Sequence, residues 1–176
     1  MCTWYPYEIE DGERSGIVLW AGCAEPRGPG DRVCAAADGR TIPVFPDTGS
    51  AGRWLESALG APLEVLSEED DHPLDLEEIT EWLDGRGDEP GDGDLVDGWN
   101  FIDDLVRGLG RTAELPAGEA VDDTYLLLFD EGTEAFGGDD HDRMRRTLRT
   151  GTAMWREAAV PWTEPGGGAP VSRTAR

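Results

Sequence analysis

LVDGWNFIDDLVRGL, residues 95–109, is the most regular stretch of the chain, and its reading sets the fold class. Leu95, Trp99, Ile102, Val106 and Leu109 recur at alternating spacings of four and three residues, which places them on one face of a helix. Asp94 precedes the run as an N-cap and Gly110 follows it as a stop. Asp97, Asn100 and Asp104 fall opposite the apolar stripe, and Asp103 falls at its boundary. The spacing predicts an amphipathic helix with one core face and one acidic solvent face.

Further helices surround it. Asp75 and Glu78 have capping-box spacing ahead of Ile79, Trp82 and Leu83, and Gly85 ends that helix. Residues 87–93 read as a Gly/Asp/Pro loop. Residues 125–129 fit a buried strand, but Val121, Tyr125, Leu128 and Phe129 also share a helical face, and helix is the preferred reading of 121–129. Asp139 or Asp140 starts a last helix reaching about residue 159, with Met144, Leu148, Trp155 and Ala159 inward. Its acids precede its arginines, the order the helix dipole favours.

The N-terminal half reads as strands. Residues 5–10 and 16–20 flank the turn Asp11-Gly12, and residues 32–36 and 40–45 flank Asp38-Gly39, which predicts two hairpins. Pro43 puts its strand at an edge. Ser50 caps a short helix to Leu59, stopped by Gly60, with Trp54, Leu55 and Leu59 as its stripe, and residues 63–66 form another short strand. The expected fold is α+β: a small antiparallel sheet packed by about four to five helices, mostly from the C-terminal half. One domain is expected over residues 1–162, followed by a disordered Gly/Pro/Arg tail over 163–176.

Residues 74–110, 125–129 and 144–157 resemble a family of uncharacterised actinobacterial proteins. In these a Leu-Asp…Trp-Leu helix precedes an "AWN(L/F)" helix, here Gly98-Trp99-Asn100-Phe101, then a "YDKLF"-like segment and an Arg/Leu-rich last helix. After Phe129 the chain departs from that pattern, with DEGTEAFGGDD where an Asn-Pro loop is expected. Residues 42–55, IPVFPDTGSAGRWL, resemble the strand-to-helix segment of SseB-like proteins. Neither resemblance implies an activity.

The chain has 38 acidic residues against 15 basic ones, a formal charge of −23. Every base is arginine, Asn100 is the one asparagine, and 24 glycines accompany them, the usage of a GC-rich, actinobacterial-type genome. That bias explains the missing lysine but not the acid excess. Binding nucleic acid through phosphates needs a basic patch, so this charge argues against it, as it does against an anionic membrane surface. Residues 1–20 lack the basic and apolar regions of a secretion signal, and no apolar run approaches membrane-span length, so a cytoplasmic protein is expected. Cys2, Cys23 and Cys34 are an odd number and are read as reduced thiols.

No catalytic constellation stands out. Asp47-Thr48-Gly49-Ser50 has the form of an aspartic-protease motif, but that chemistry needs two such carboxylates and only one is present, so a strand-turn-helix cap is the better account. His72 and His141 have no second ligand at metal spacing, and Asp88 to Trp99 fail the calcium-loop register. No metal or cofactor is expected. The remaining signal is charge: residues 64–104 hold 17 acids and one base, Arg86. The expected partner-binding residues are Asp88, Asp92, Asp94, Asp97, Asn100 and Asp104, with Trp82 as a candidate aromatic anchor whose better-supported place is the core. They imply a non-enzymatic interaction protein, in its specific form an immunity or antitoxin-type inhibitor whose carboxylates cover the nucleic-acid-binding surface of a basic toxin or nuclease. The alternatives are a small enzyme with a scattered site, which a deep pocket with convergent polar groups would reveal, and a scaffold or accessory protein.

Overall fold

The computed structural model describes residues 2–23, 30–64 and 72–163. The chain is α+β, with a curled mixed sheet and five α-helices among the described residues. Strands β1 (Cys2–Glu10) and β2 (Gly16–Cys23) form a long antiparallel hairpin closed by a 3-10 turn at Gly12–Arg14. The pairing runs from Ile9 opposite Gly16 to Cys2 opposite Cys23. That register brings the two end cysteines together as a disulfide. Reduced thiols were the expectation from sequence. The pairing corrects it for Cys2 and Cys23 and leaves Cys34 as a buried free thiol.

Strand β3 (Arg32–Val33) extends the sheet beside β2, and β5 (Leu74–Asp75) joins β1 in parallel, giving the order β3-β2-β1-β5. The sheet is therefore mixed rather than purely antiparallel. The second expected hairpin forms only its turn. Asp38 accepts hydrogen bonds from the Arg40 and Thr41 backbone N–H groups, and Ala36 N–H donates to the Thr41 carbonyl at 2.7 Å. Beyond the turn the arms diverge. Strand β4 (Ile42–Val44) pairs in parallel with β6 (Ala159–Pro161) near the C-terminus. Ile42, Pro43 and Val44 are all buried, so this strand needs cover on both faces, which a simple hairpin does not supply. The expected strand at 63–66 lies partly outside the described residues, as do the acids at 68–71 and the tail from 164 onward.

Alternation along the hairpin gives it two apolar faces. Ile9, Val18 and Tyr7 face the large helical core, whereas Leu19, Ile17 and Trp4 join Phe45, Ala51 and Leu55 in a smaller one. Helix α1 (Thr48–Leu59) covers the smaller core. Its N-cap is Asp47, not Ser50: the Asp47 carboxylate accepts the Ser50 N–H at 2.7 Å, while Ser50 sits one turn inside. Those hydrogen bonds hold the Asp47 carboxyl below the ordinary aspartate range. Leu59, expected on the apolar stripe, is exposed.

Helices α2 (Leu76–Leu83), α3 (Asp92–Gly108), α4 (Glu119–Glu131) and α5 (Gly138–Ala158) pack on the other face. Asp75 caps α2 and accepts the Glu78 N–H at 2.7 Å, as the capping-box spacing predicts. Residues 121–129 are helical, within α4. Helix α3 lies at the centre, with Leu95, Trp99, Ile102 and Val106 buried as expected and Phe101 and Leu105 buried as well. It touches β3 so closely that a Cβ on Gly108 would collide with the Val33 carbonyl, and α5 so closely that one on Gly151 would collide with Ile102. A helix flanked by a sheet on one side and by helices on the other has no broad solvent face. Asp104, expected to be exposed, is consequently buried.

Asp11, at the hairpin turn, locks the sheet to the last helix. Its buried carboxylate accepts the Trp155 indole N–H at 3.0 Å and an Arg156 N–H at 2.9 Å.

Two outcomes follow. Asp11→Ala strands a buried indole N–H and removes a charge-assisted pair, and should cost about 3 kcal/mol in urea unfolding; a loss under ~1 kcal/mol would show that the turn is not anchored there. Replacing Cys2 and Cys23 together by serine opens a covalent loop with a sequence separation of 21 and should cost about 3 kcal/mol. Equal melting of the wild type with and without reductant would contradict that pairing.

Candidate functional site

The residues expected to bind a partner are dispersed over three places. Asp88, Asp94 and Asp97 are exposed on the α2–α3 loop and the start of α3. Asp92 is exposed but engaged: its carboxylate accepts the Thr133 N–H at 3.0 Å and hydroxyl at 2.9 Å, tying α3 to the loop after α4. Trp82 is not an exposed anchor. It is only 3 % exposed, because α5 packs over it and sets the Arg145 guanidinium 4.1 Å from the ring centre. Asn100 and Asp104 remain, and both border one groove.

That groove has a volume of about 860 Å³ and runs along α3 between the β2 end of the sheet and α4. Its most buried charged residue is Asp104, 9 % exposed. Trp20, on β2, donates its indole N–H to Asp104 Oδ2 at 2.7 Å. Arg107 lies one turn further along α3, so its guanidinium reaches back to Asp104 Oδ1 at 2.8 Å, to Asp103 Oδ2, and to the Asp31 carbonyl at 3.4 Å. The Asp31 carboxylate in turn accepts the Cys23 N–H at 2.8 Å, which fixes the wall.

The other end of the groove is aromatic. Tyr125 on α4 packs its ring 5.6 Å from Trp99 and donates its hydroxyl to Asn100 Oδ1 at 2.8 Å. Asp122 stands beside it, and Leu126 and Phe129, 54 % and 62 % exposed, continue the α4 surface outward. Thr147 of α5, 1 % exposed, also lines the groove, and its hydroxyl has no hydrogen-bond partner among the described residues. Four aspartates against one arginine leave the groove acidic.

Burial pushes the Asp104 carboxyl above the ordinary aspartate range, although the Trp20 and Arg107 bonds pull the other way. Asp97 is also raised, by desolvation and then by the neighbouring Asp94. Tyr7, desolvated and near Asp97, is pushed up to about 12. Burial raises the Cys34 thiol to about 11, so it is no thiolate nucleophile at neutral pH. Among the described residues no group of three or more His, Cys, Asp and Glu is placed to hold a metal ion, and no helix is long and apolar enough to cross a membrane.

Sequence reasoning missed Trp20, Asp31, Tyr125 and Arg107. Only Arg107 left a local signal, its spacing from Asp103 and Asp104. A second feature was read only as dipole compensation. The arginines of α5 form a basic face where Arg149 donates to the Leu83 carbonyl at 2.6 Å, Arg111 pairs with Glu114 and Glu157, and Arg146 is exposed. In comparisons with known proteins, no family model, no curated protein and no solved structure matches the chain.

For Asp104, a folded-state value above the unfolded one means that its ionisation opposes folding. Its contribution is most favourable below the unfolded value and declines as pH rises through the folded one. The indole donor beside it reports the event. Trp20 emission, isolated by comparison with a Trp20→Phe variant, should titrate with a midpoint above the ~3.9 of free aspartate. A midpoint at or below that value would contradict the desolvated environment.

Proposed function

We propose that this chain is a non-enzymatic interaction protein of the immunity or antitoxin type, which covers a basic, nucleic-acid-binding surface of a protein partner. The observation that carries this reading is the α3–α4 groove, where carboxylates and aromatic faces occur together on a chain of charge −23. Carboxylates that stand in for phosphates must be held at defined positions, and here the Trp20 indole, the Asn100–Tyr125 bond and the Asp31–Cys23 bond supply that rigidity. Leu126 and Phe129 offer apolar area next to the acidic groove, the mixture that anchors an interface. The exposed Asp88, Asp94 and Asp97 extend the field and steer a cationic partner toward it.

The groove is less suited to catalysis. Asp104, its one buried carboxylate, is paired with Arg107 and bonded to Trp20, and among the described residues no histidine or cysteine stands beside it in the groove. Neither direct nucleic-acid binding nor attachment to an anionic membrane fits the charge.

Affinity capture from the native host tests the reading, with the wild type and an Asp103→Asn/Asp122→Asn/Phe129→Ala variant as baits. The expected partner is a protein of pI above about 9, released by salt and bound at least about tenfold more weakly by the variant. Retention of an acidic partner, or equal binding by both baits, would contradict it.

A further inference from the structure

Arg107 is itself a basic side chain lodged in an acidic groove. Its planar fork meets Asp104, Asp103 and the Asp31 carbonyl, an acceptor set that fits a guanidinium better than a compact ammonium. Asp104 is the fixed member, buried and oriented by the Trp20 indole. Arg107 is the more accessible member, 37 % exposed at its side chain. The groove continues past it to Tyr125, a half-buried ring backed by the buried Trp99, and an aromatic ring is a suitable neighbour for the flat guanidinium of a second arginine. The unpaired, buried Thr147 hydroxyl on the same wall is an acceptor that nothing in the described chain uses.

We infer that the α3–α4 groove is a receptor for an arginine side chain of a basic protein partner, and that Arg107 is the internal occupant this arginine displaces. The inference rests on the interaction-protein reading and makes it specific. The partner's guanidinium enters between Tyr125 and Asp122, takes the acceptors on Asp103 and Asp104, and releases Arg107 to solvent. Asp104 is never left without a cationic partner. Because one guanidinium replaces another, affinity depends on the geometry of the fork and not on charge alone. Arg107 thus sets a threshold: a partner offering only scattered lysines does not dislodge it, and one offering an arginine on a protruding segment does.

The test uses two probes of equal charge, nona-arginine and nona-lysine, with binding followed by calorimetry. Arg107→Ala empties the cradle, and Arg146→Ala removes the same charge from the exposed face of α5, outside the groove. Arg107→Ala should bind nona-arginine about tenfold more tightly than the wild type, while Arg146→Ala changes it less than about twofold. Arg107→Lys, which keeps the charge but loses the fork, should fall between. Independently of any peptide, millimolar guanidinium should raise the melting temperature of Arg107→Ala relative to equal sodium chloride, and leave that of the wild type unmoved. Equal gains from Arg107→Ala and Arg146→Ala, with no guanidinium rescue, would overturn the receptor while leaving a general acidic docking surface intact. Failure of wild type and variants alike to bind either peptide at low salt would overturn the interaction reading as well.

Discussion

Two buried carboxylates organise this molecule, and each is satisfied in the same way. Asp11 takes the Trp155 indole and the Arg156 guanidinium; Asp104 takes the Trp20 indole and the Arg107 guanidinium. An aspartate removed from water must find partners for its oxygens or surrender its charge. In both cases the indole comes from a different secondary element and so ties the sheet to the helices. Asp11 joins the hairpin turn to α5, and Asp104 joins α3 to β2. The aromatic bodies of Trp155 and Trp20 supply burial while their N–H groups supply the donor, so one residue type meets both requirements. The two nodes differ in surroundings. Asp11 lies within packed protein, while Asp104 lines a groove, and it is there that we propose one cation can be exchanged for another.

The charge of the chain gains sense from this arrangement. Carboxylates crowded on a small domain repel one another and weaken it. The structure relieves part of that locally, by hydrogen-bonding Asp38, Asp47 and Asp140 to backbone or hydroxyl donors that hold their carboxyls below the ordinary range. Those groups stabilise the fold above their unfolded values and lose that contribution as pH falls through the folded ones. Asp97, on the exposed first turns of α3, is displaced the other way, by desolvation and then by the neighbouring Asp94. Under the proposed reading, a cationic partner would neutralise such groups, which would link the excess charge to binding rather than to folding.

The apolar stripe of α3 was legible in sequence because helical periodicity records which residues are buried. The caps at Asp75 and Gly60, the first hairpin and the helical state of 121–129 were legible for similar local reasons. Asp104 was misread because opposition to an apolar stripe implies solvent only when one side of a helix is packed, and α3 is packed on two. Trp82 takes the core place that the apolar face of its helix favours over an exposed anchor, covered by Arg145 of a helix distant in sequence. The divergence of the arms at 32–36 and 40–45 followed from β6, whose pairing with β4 no local pattern announces. The Cys2–Cys23 pairing was within reach, since a turn at residues 11–15 places the two residues opposite each other once the strands are long enough. The groove was not, since Trp20, Asp31 and Tyr125 meet only through tertiary packing.

The seven indole N–H groups give the most direct test, because two of them mark the two carboxylate nodes. In proton–nitrogen NMR spectra, Trp20 and Trp155 should exchange most slowly with solvent among the indoles, reflecting their bonds to Asp104 and Asp11. On addition of nona-arginine, Trp20 and Trp99 should shift while Trp155 stays fixed. A Trp155 that shifts with them, or indole signals that all move together, would contradict a ligand-exchanging node at Asp104 distinct from a structural one at Asp11.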